Sequence, residues 1–350
     1  MKIAMALSYA GGFEEAARRV ADYERAGLDL VWVAEAYGYD APSFMGYLAA
    51  RTERVGIGAG ILPIYTRTPS LIAMTAAGVD ALSGGRFELG LGASGPQVIE
   101  GWHGVRYDAP IGRTREIVEI CREIWARERP VIHQGRHYQM PLLADDSSGL
   151  GKPLKLITHP LRPRIPVWLA ALGERNVALA AEVADGWLPI LFVPEKAGEV
   201  WGRPLAAGAA KRDPALGRLQ VSAGGLLAVG DGDEVRAVAE LSRSMVALYV
   251  GGMGAKGHNF YNDLAVRYGY EAEAALIQEL YLNGKKREAE AAVPEELLRL
   301  SNLCGPRSWV AERIAAFREA GVTHLQVAPV AAGGRSELDQ LDAVRQLVDA

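Results

Sequence analysis

Apolar runs of strand length alternate along this chain with stretches patterned for helices, and the alternation repeats eight times. The runs are Lys2–Leu7, Leu28–Ala34, Arg54–Leu62, Arg86–Leu91, Pro166–Ala170, Trp187–Phe192, Leu219–Val229 and Thr323–Pro329. Lys2–Leu7 shows no polar alternation, as expected of a strand covered on both faces. After it Phe13, Ala16, Ala17, Val20 and Tyr23 recur at helical spacing until Gly27 ends the pattern. Further helices are expected over Asp40–Ala50, Pro69–Leu82, Gln97–Trp102, Arg113–Arg127, Glu174–Val183, 233 to about 250, Trp309–Ala320 and Glu337–Val348. Strict alternation implies a parallel sheet, and eight units favour a closed (β/α)8 TIM barrel over an open doubly wound sheet. Residues 129–164, after strand 4, read as an inserted hairpin and loop, and 251–308, before strand 8, as an irregular helical insertion. No shift in composition marks a linker, so 1–350 reads as one barrel domain.

Charge and cysteine content narrow the partners. The net charge is −4, so no basic surface argues for nucleic acid or an anionic membrane. The longest apolar stretches, such as Trp187–Val193, are far below membrane-spanning length. Two cysteines far apart, Cys121 and Cys304, form neither a disulfide framework nor a metal-spaced pair, and a reducing, cytoplasmic setting is expected. The expected partner is a small-molecule substrate.

The densest local signal is Asp80-Ala-Leu-Ser-Gly-Gly-Arg-Phe-Glu-Leu-Gly-Leu-Gly-Ala-Ser-Gly95. Gly90 to Gly95 fits G-x-G-x-x-G, which in a first strand–helix unit marks dinucleotide binding. Here some 90 residues with their own strands and helices precede it, so the turn reads as the loop after a fourth strand, with an NAD-dependent Rossmann enzyme as the alternative.

Ligands of a barrel meet the C-terminal strand ends. Glu35 ends the second strand, where it would face the barrel mouth or cap the next helix. Ala93, Ser94, Gly95 and Gln97 open the helix after strand four, and Leu172 and Gly173 the helix after strand five. Such openings offer free N–H groups to an anion, although Ser94 would serve equally as an ordinary N-cap. His133 and His137 are four apart, but Gly135 lies between them and no acidic partners are near, so no metal site is assigned. Lys152, Lys155, Arg162 and Arg164 read as a solvated basic stretch, with attraction of an anion as the alternative; Tyr249, Met253, Asn259, Phe260 and Tyr261 read as core packing, with a substrate wall as the alternative, and Trp102-His103 as packed against the mouth.

Several segments carry a family likeness across nearly the whole chain. They are Val31-Trp-Val-Ala-Glu35, Ile57-Gly-Ala-Gly-Ile61, Thr66-Arg-Thr-Pro69, the Asp80–Phe87 turn and Ser94-Gly-Pro-Gln…Gly-Trp-His103. Val167-Trp-Leu-Ala-Ala-Leu-Gly173, Ala184-Asp-Gly-Trp187 and Gly251-Gly-Met253 with Asn259-Phe-Tyr261 follow. The sequence resembles the bacterial luciferase-like superfamily and, within it, the deazaflavin oxidoreductases that use coenzyme F420. The resemblance implies hydride transfer between F420 and an organic substrate, with an FMN-dependent monooxygenase or a non-catalytic flavin-binding protein as alternatives. It implies a homodimer. It also implies a cis peptide bulge at Gly60-Ile61, or at the neighbouring Ala59-Gly60, behind the ring, an acidic contact to the ring at Glu35, and the phosphodiester tail at Ser94-Gly95 or Leu172-Gly173. Relatives often carry a histidine after that acid. Here the position is Ala36, so proton delivery is expected from Glu35 first, with Tyr37, Tyr39 or His103 as the alternatives.

Overall fold

Eight parallel strands pair in sequence until the last returns to the first. They are β1 (Lys2–Leu7), β2 (Leu30–Val33), β3 (Gly56–Ala59), β4 (Phe87–Gly92), β5 (Val167–Ala170), β6 (Gly186–Leu188), β7 (Gln220–Val229) and β8 (His324–Pro329). The circle closes where Lys2 pairs with His324, and the seam between β6 and β7 pairs Gly186 with Gln220. This is the (β/α)8 TIM barrel, seen in a computed structural model that describes residues 1–7, 12–143, 145 and 147–350.

Two tryptophans fill the barrel. Trp32 and Trp168 point inward with ring centroids 5.1 Å apart, edge to face. Their bulk fits because Gly58 and Gly186 stand opposite, where any Cβ would collide with the Trp32 and Trp168 rings respectively. Each indole N–H has an acceptor: Trp32 Nε1 donates to Ser222 Oγ at 3.2 Å and Trp168 Nε1 to the Glu88 carboxylate. Outward residues such as Ile3, Val31, Ile57, Leu89, Val167 and Leu325 are buried under the helical ring.

That ring comprises α1 (Phe13–Arg25), α2 (Ala41–Arg51), α3 (Pro69–Leu82), α4 (Pro110–Ala126), α5 (Glu174–Val183), α6 (Pro194–Ala209), α7 (Arg307–Glu319) and α8 (Glu337–Asp349). Asp40 and Thr68 cap α2 and α3 by accepting from Ser43 N and Leu71 N. The Asp80–Phe87 turn is a clamp at the barrel base. Arg162 holds the fully buried Asp80 and reaches Phe87 O at 2.6 Å, and Arg86 ties the carbonyls of Thr52, Val55 and Ser83. Arg162 and Arg164, read from sequence as solvated, are therefore structural, with Arg164 paired to Asp185.

Other departures from the sequence reading have local causes. The third strand is split into Gly56–Ala59 and Leu62–Pro63 by a cis Gly60–Ile61 peptide, the bulge the resemblance implied. The sixth strand stops at Leu188 rather than Phe192, and Leu191 has φ 52°. α6 is not legible in the sequence, because Gly198, Gly202, Pro204 and Gly208 mask its pattern. The expected helix from 233 is broken into α (233–237), 3-10 (238–242), α (243–247) and π (248–252) turns. The first insertion carries the hairpin His133–Gln134/Gln139–Met140, and the second holds four helices and a strand, Leu303–Gly305, paired to β7.

His324 faces inward near the barrel base, edge-on to Trp168 at 5.1 Å, with Nε2 buried and unpartnered. Burial, reinforced by Lys2, pushes its pKa down to about 4, although Asp29 pulls the other way. The unfolded chain takes up that proton near the usual 6.5 and the folded chain near 4, so stability is lost as pH falls between these values. At 1.36 kcal/mol per pH unit the window amounts to roughly 3 kcal/mol. Urea unfolding at pH 7 and at pH 4.5 checks this. Wild type should lose roughly 2–3 kcal/mol more than His324→Gln, and equal losses would contradict the assignment.

Candidate active site at the barrel mouth

Inward-facing residues become accessible toward the C-terminal strand ends. Ala4 is fully buried, whereas Ala6, two residues on in a strand paired on both sides, is exposed. The same change occurs from Trp168 to Ala170, from Ser222 to Gly224 and from His324 to Gln326. The barrel interior is therefore accessible above the tryptophans.

The residues expected from sequence lie around this opening on four consecutive strands, β2 to β5. Gly60 and Ile61 form the bulge of the third strand. A Cβ on Gly60 would stand 2.9 Å from Trp32 Cβ, so the barrel core itself requires glycine there, and a valine at 60 would strain the fold as well as any bound ring. Ile61 lies over β4, since a Cβ on Gly92 would stand 3.0 Å from Ile61 Cδ1 and 3.4 Å from Ala170 Cβ.

Glu35 is held on both oxygens. Arg67 grips it through Nη1 to Oε1 at 2.5 Å and Nη2 to Oε2 at 2.8 Å, and Oε2 also accepts from Ala41 N at the start of α2. The pair is largely buried, with side chains 13% and 9% exposed. Helix capping, set beside the ring contact as an alternative, is thus present; the pairing with Arg67 joins residues 32 apart and leaves no mark in the local pattern of Thr66-Arg-Thr-Pro69.

Ser94 follows β4 with φ 58°. It is not an N-cap: Gly95 caps the six-residue helix 96–101, without a side-chain bond. Ala93 and Gln97 flank it, and the Tyr107 hydroxyl reaches Ser94 O at 3.5 Å. Tyr37 is exposed, its ring 6.3 Å from Trp102, which brings the loop after β2 beside the loop holding half-buried His103.

Gly173 is the N-cap of α5 and offers no side chain to its first-turn N–H groups. Arg267, from insertion helix 260–267, donates Nη2 to Leu172 O at 2.9 Å, while its buried Nη1 has no partner. A guanidinium half-satisfied at an open helix start suits an anion. Distance in sequence hid this contact. His133 instead meets Glu116 at 3.3 Å, and the backbone N–H groups of Arg136, His137 and Tyr138 fill the Glu116 carboxylate. Among the described residues no three His, Cys, Asp or Glu side chains cluster as metal ligands.

The sequence profile of the luciferase-like monooxygenase family matches residues 1–324. The chain belongs to that family. This luciferase-like protein is 41% identical over 348 residues, 98% of its own length and 99% of the relative's, to a Mycobacterium tuberculosis protein whose name provisionally makes it a coenzyme F420-dependent oxidoreductase. It is 29% identical to the 5,10-methylenetetrahydromethanopterin reductase of Archaeoglobus fulgidus, over 86% of this chain and 85% of the relative. In fold it resembles the coenzyme F420-dependent tetrahydromethanopterin reductase of Methanopyrus kandleri, with a TM-score of 0.78 and 21% identity across 99% of this chain and 98% of that one. The closed barrel removes the Rossmann alternative: Gly90 lies in the fourth strand, where it makes room for a neighbouring backbone rather than for a pyrophosphate.

Proposed function

We propose that this luciferase-like protein is a cytoplasmic, F420-dependent oxidoreductase. It would move a hydride between the deazaflavin and an organic substrate: an alcohol or carbonyl, an imine or an activated alkene. The observation that carries this reading is the full-length similarity to the mycobacterial relative. The mouth supports it: Gly60 brings no side chain to the third-strand bulge, and the open α5 start, with the Arg267 guanidinium at Leu172 O, offers an anion seat for the tail. Ala93, Ser94, Gly95 and Gln97 would border the ring side.

When bound, F420 supplies a two-electron hydride acceptor or donor at C5 of its ring. The protein's part is to hold ring and substrate face to face and to place one proton-exchanging group. Glu35 is committed on both oxygens to Arg67 and Ala41 N, so its role here is to fix the β2 and β3 loops around the ring. The groups free to exchange a proton at the rim are Tyr37, Tyr39 and His103; none makes a side-chain hydrogen bond among the described residues.

Hydride exchange is the test. Reduced F420 carrying deuterium at C5 is incubated with the protein and a panel of ketones, imines and enones, and oxidised F420 with the corresponding C-deuterated alcohols and amines. Deuterium in one product class supports the reading. A protein that binds F420 yet transfers to none of them is a carrier instead.

The surface of α2 and α3 supports a homodimer. Leu71, Met74, Gly78, Ala81 and Leu82 of α3 are exposed, and Gly46 and Tyr47 of α2 lie alongside, with no charge on the α3 face. Sedimentation should give twice the 37.6 kDa chain mass, and a monomer would rule the dimer out. Among the described residues, no helix is long and apolar enough to cross a membrane.

A further inference from the structure

Beneath the mouth, one polar side chain has a fixed orientation and an unused acceptor. Gln326 lies on β8, two residues above the buried His324 and facing the same way. Its amide meets Ser222 on β7 twice, at 3.2 Å from the backbone carbonyl and 3.1 Å from Oγ. A backbone carbonyl only accepts, so the atom facing it must be the nitrogen. Ser222 is itself fully buried and held by Trp32 Nε1 at 3.2 Å. The chain Trp32–Ser222–Gln326 therefore commits Nε2 and turns Oε1 away from Ser222. Gln326 is partly exposed, and no donor among the described residues meets that oxygen.

The surroundings are small and neutral. Ala6, Ala170, Gly224 and Ala328 face inward at or above this level and remain partly or largely accessible. Glu88 and His324 lie below, against the Trp168 ring. Glu35 and Arg67 neutralise each other at the rim. A charged group brought here would lose its hydration against an amide and methyl groups, with no counter-charge to offset the cost.

We infer that Gln326 is the residue that binds the substrate's polar group, and that it selects a neutral, mainly apolar molecule presenting an O–H or N–H donor. The inference deepens the proposed function and rests on it only in taking this mouth as the reaction site. A ligand whose polar atom only accepts finds no donor at Gln326, because Nε2 is spent on Ser222. Ser222 acts through Gln326, as a positioning residue.

Binding, rather than turnover, tests this. Full-length protein without cofactor is titrated with cyclohexanol, its methyl ether and cyclohexanecarboxylate, followed by ligand-observed NMR. Wild type should bind the alcohol roughly fivefold tighter than the ether, the worth of one neutral hydrogen bond, and the carboxylate more weakly than either. Gln326→Leu should bring the alcohol-to-ether ratio to about one while leaving the ether's affinity within about twofold. A ratio unchanged by Gln326→Leu, or a preference for the carboxylate, overturns the inference. Should Gln326→Leu fail to fold, Ala6→Leu, placed at an exposed position, provides the second check: it should weaken alcohol and ether alike by filling that space. Unchanged binding of both would place the ligand elsewhere and overturn the inference. Titrating the same wild-type sample with F420 separates the two claims. Donor discrimination without F420 binding sinks only the cofactor reading, and F420 binding without discrimination sinks only the role of Gln326.

Discussion

Gly90→Ala should leave no folded barrel. A single Cβ at this position would lie inside the van der Waals shell of the Ala59 carbonyl oxygen, a backbone atom that no rotamer change can move. Ala59 ends β3 and Gly90 sits mid-way along β4, so relief requires the two strands to part. Parting them breaks the pairs Ile57–Phe87 and Gly58–Glu88 and the later pair Leu62–Leu91. The cost exceeds the ~1–3 kcal/mol usual for an overpacked core, because the obstacle is main chain rather than side chain. Against a typical stability of ~5–15 kcal/mol, the variant should be insoluble or lack a cooperative thermal transition. Gly101→Ala is the control, since a Cβ there meets nothing within 4 Å; it should melt like wild type or slightly higher. A Gly90→Ala protein with wild-type melting would show that the β3–β4 approach is misdescribed.

That glycine also shows where sequence reading succeeds and fails here. Alternation of apolar runs and helical patterns reached the barrel, because strand and helix periods are local properties. The glycine spacing from Gly90 to Gly95 was legible, but its purpose was not. Gly90 is demanded by the Ala59 carbonyl, and Gly92 packs closely under the Ile61 side chain, both some 30 residues away in sequence. The same limit hid Arg67 opposite Glu35, Arg267 at Leu172 and Ser222 beneath Gln326, all contacts between different βα units. Helix α6 escaped because three glycines and a proline interrupt its pattern, while its burial of Trp201 against Trp187 and Phe192 is tertiary. The bulge at Gly60-Ile61 came from family likeness; nothing in its spacing marks it.

Arg67→Met should destabilise the protein by about 3–5 kcal/mol, the usual cost of stripping the partner from a buried charge. The Glu35 carboxylate would keep only the single bond from Ala41 N in a site that is 9% exposed. The loops after β2 and β3, which this pair joins, should loosen together. The double variant Arg67→Met/Glu35→Leu should recover more than half of the loss, because both charges are then gone. Denaturant unfolding of the wild type, both single variants and the double variant closes the cycle. Purely additive losses would mean that Glu35 and Arg67 do not act as a pair, and Glu35 would again be available as the proton donor.

Whether the mouth is built for F420 is decided by equilibrium binding. The purified full-length protein is titrated in parallel with F420 and FMN, following quenching of protein fluorescence. The proposed function predicts a dissociation constant for F420 at least about tenfold below that for FMN, a difference of ~1.4 kcal/mol. FMN binding as tightly as F420, or more tightly, would contradict it and move the protein to the flavin-dependent side of the luciferase-like family.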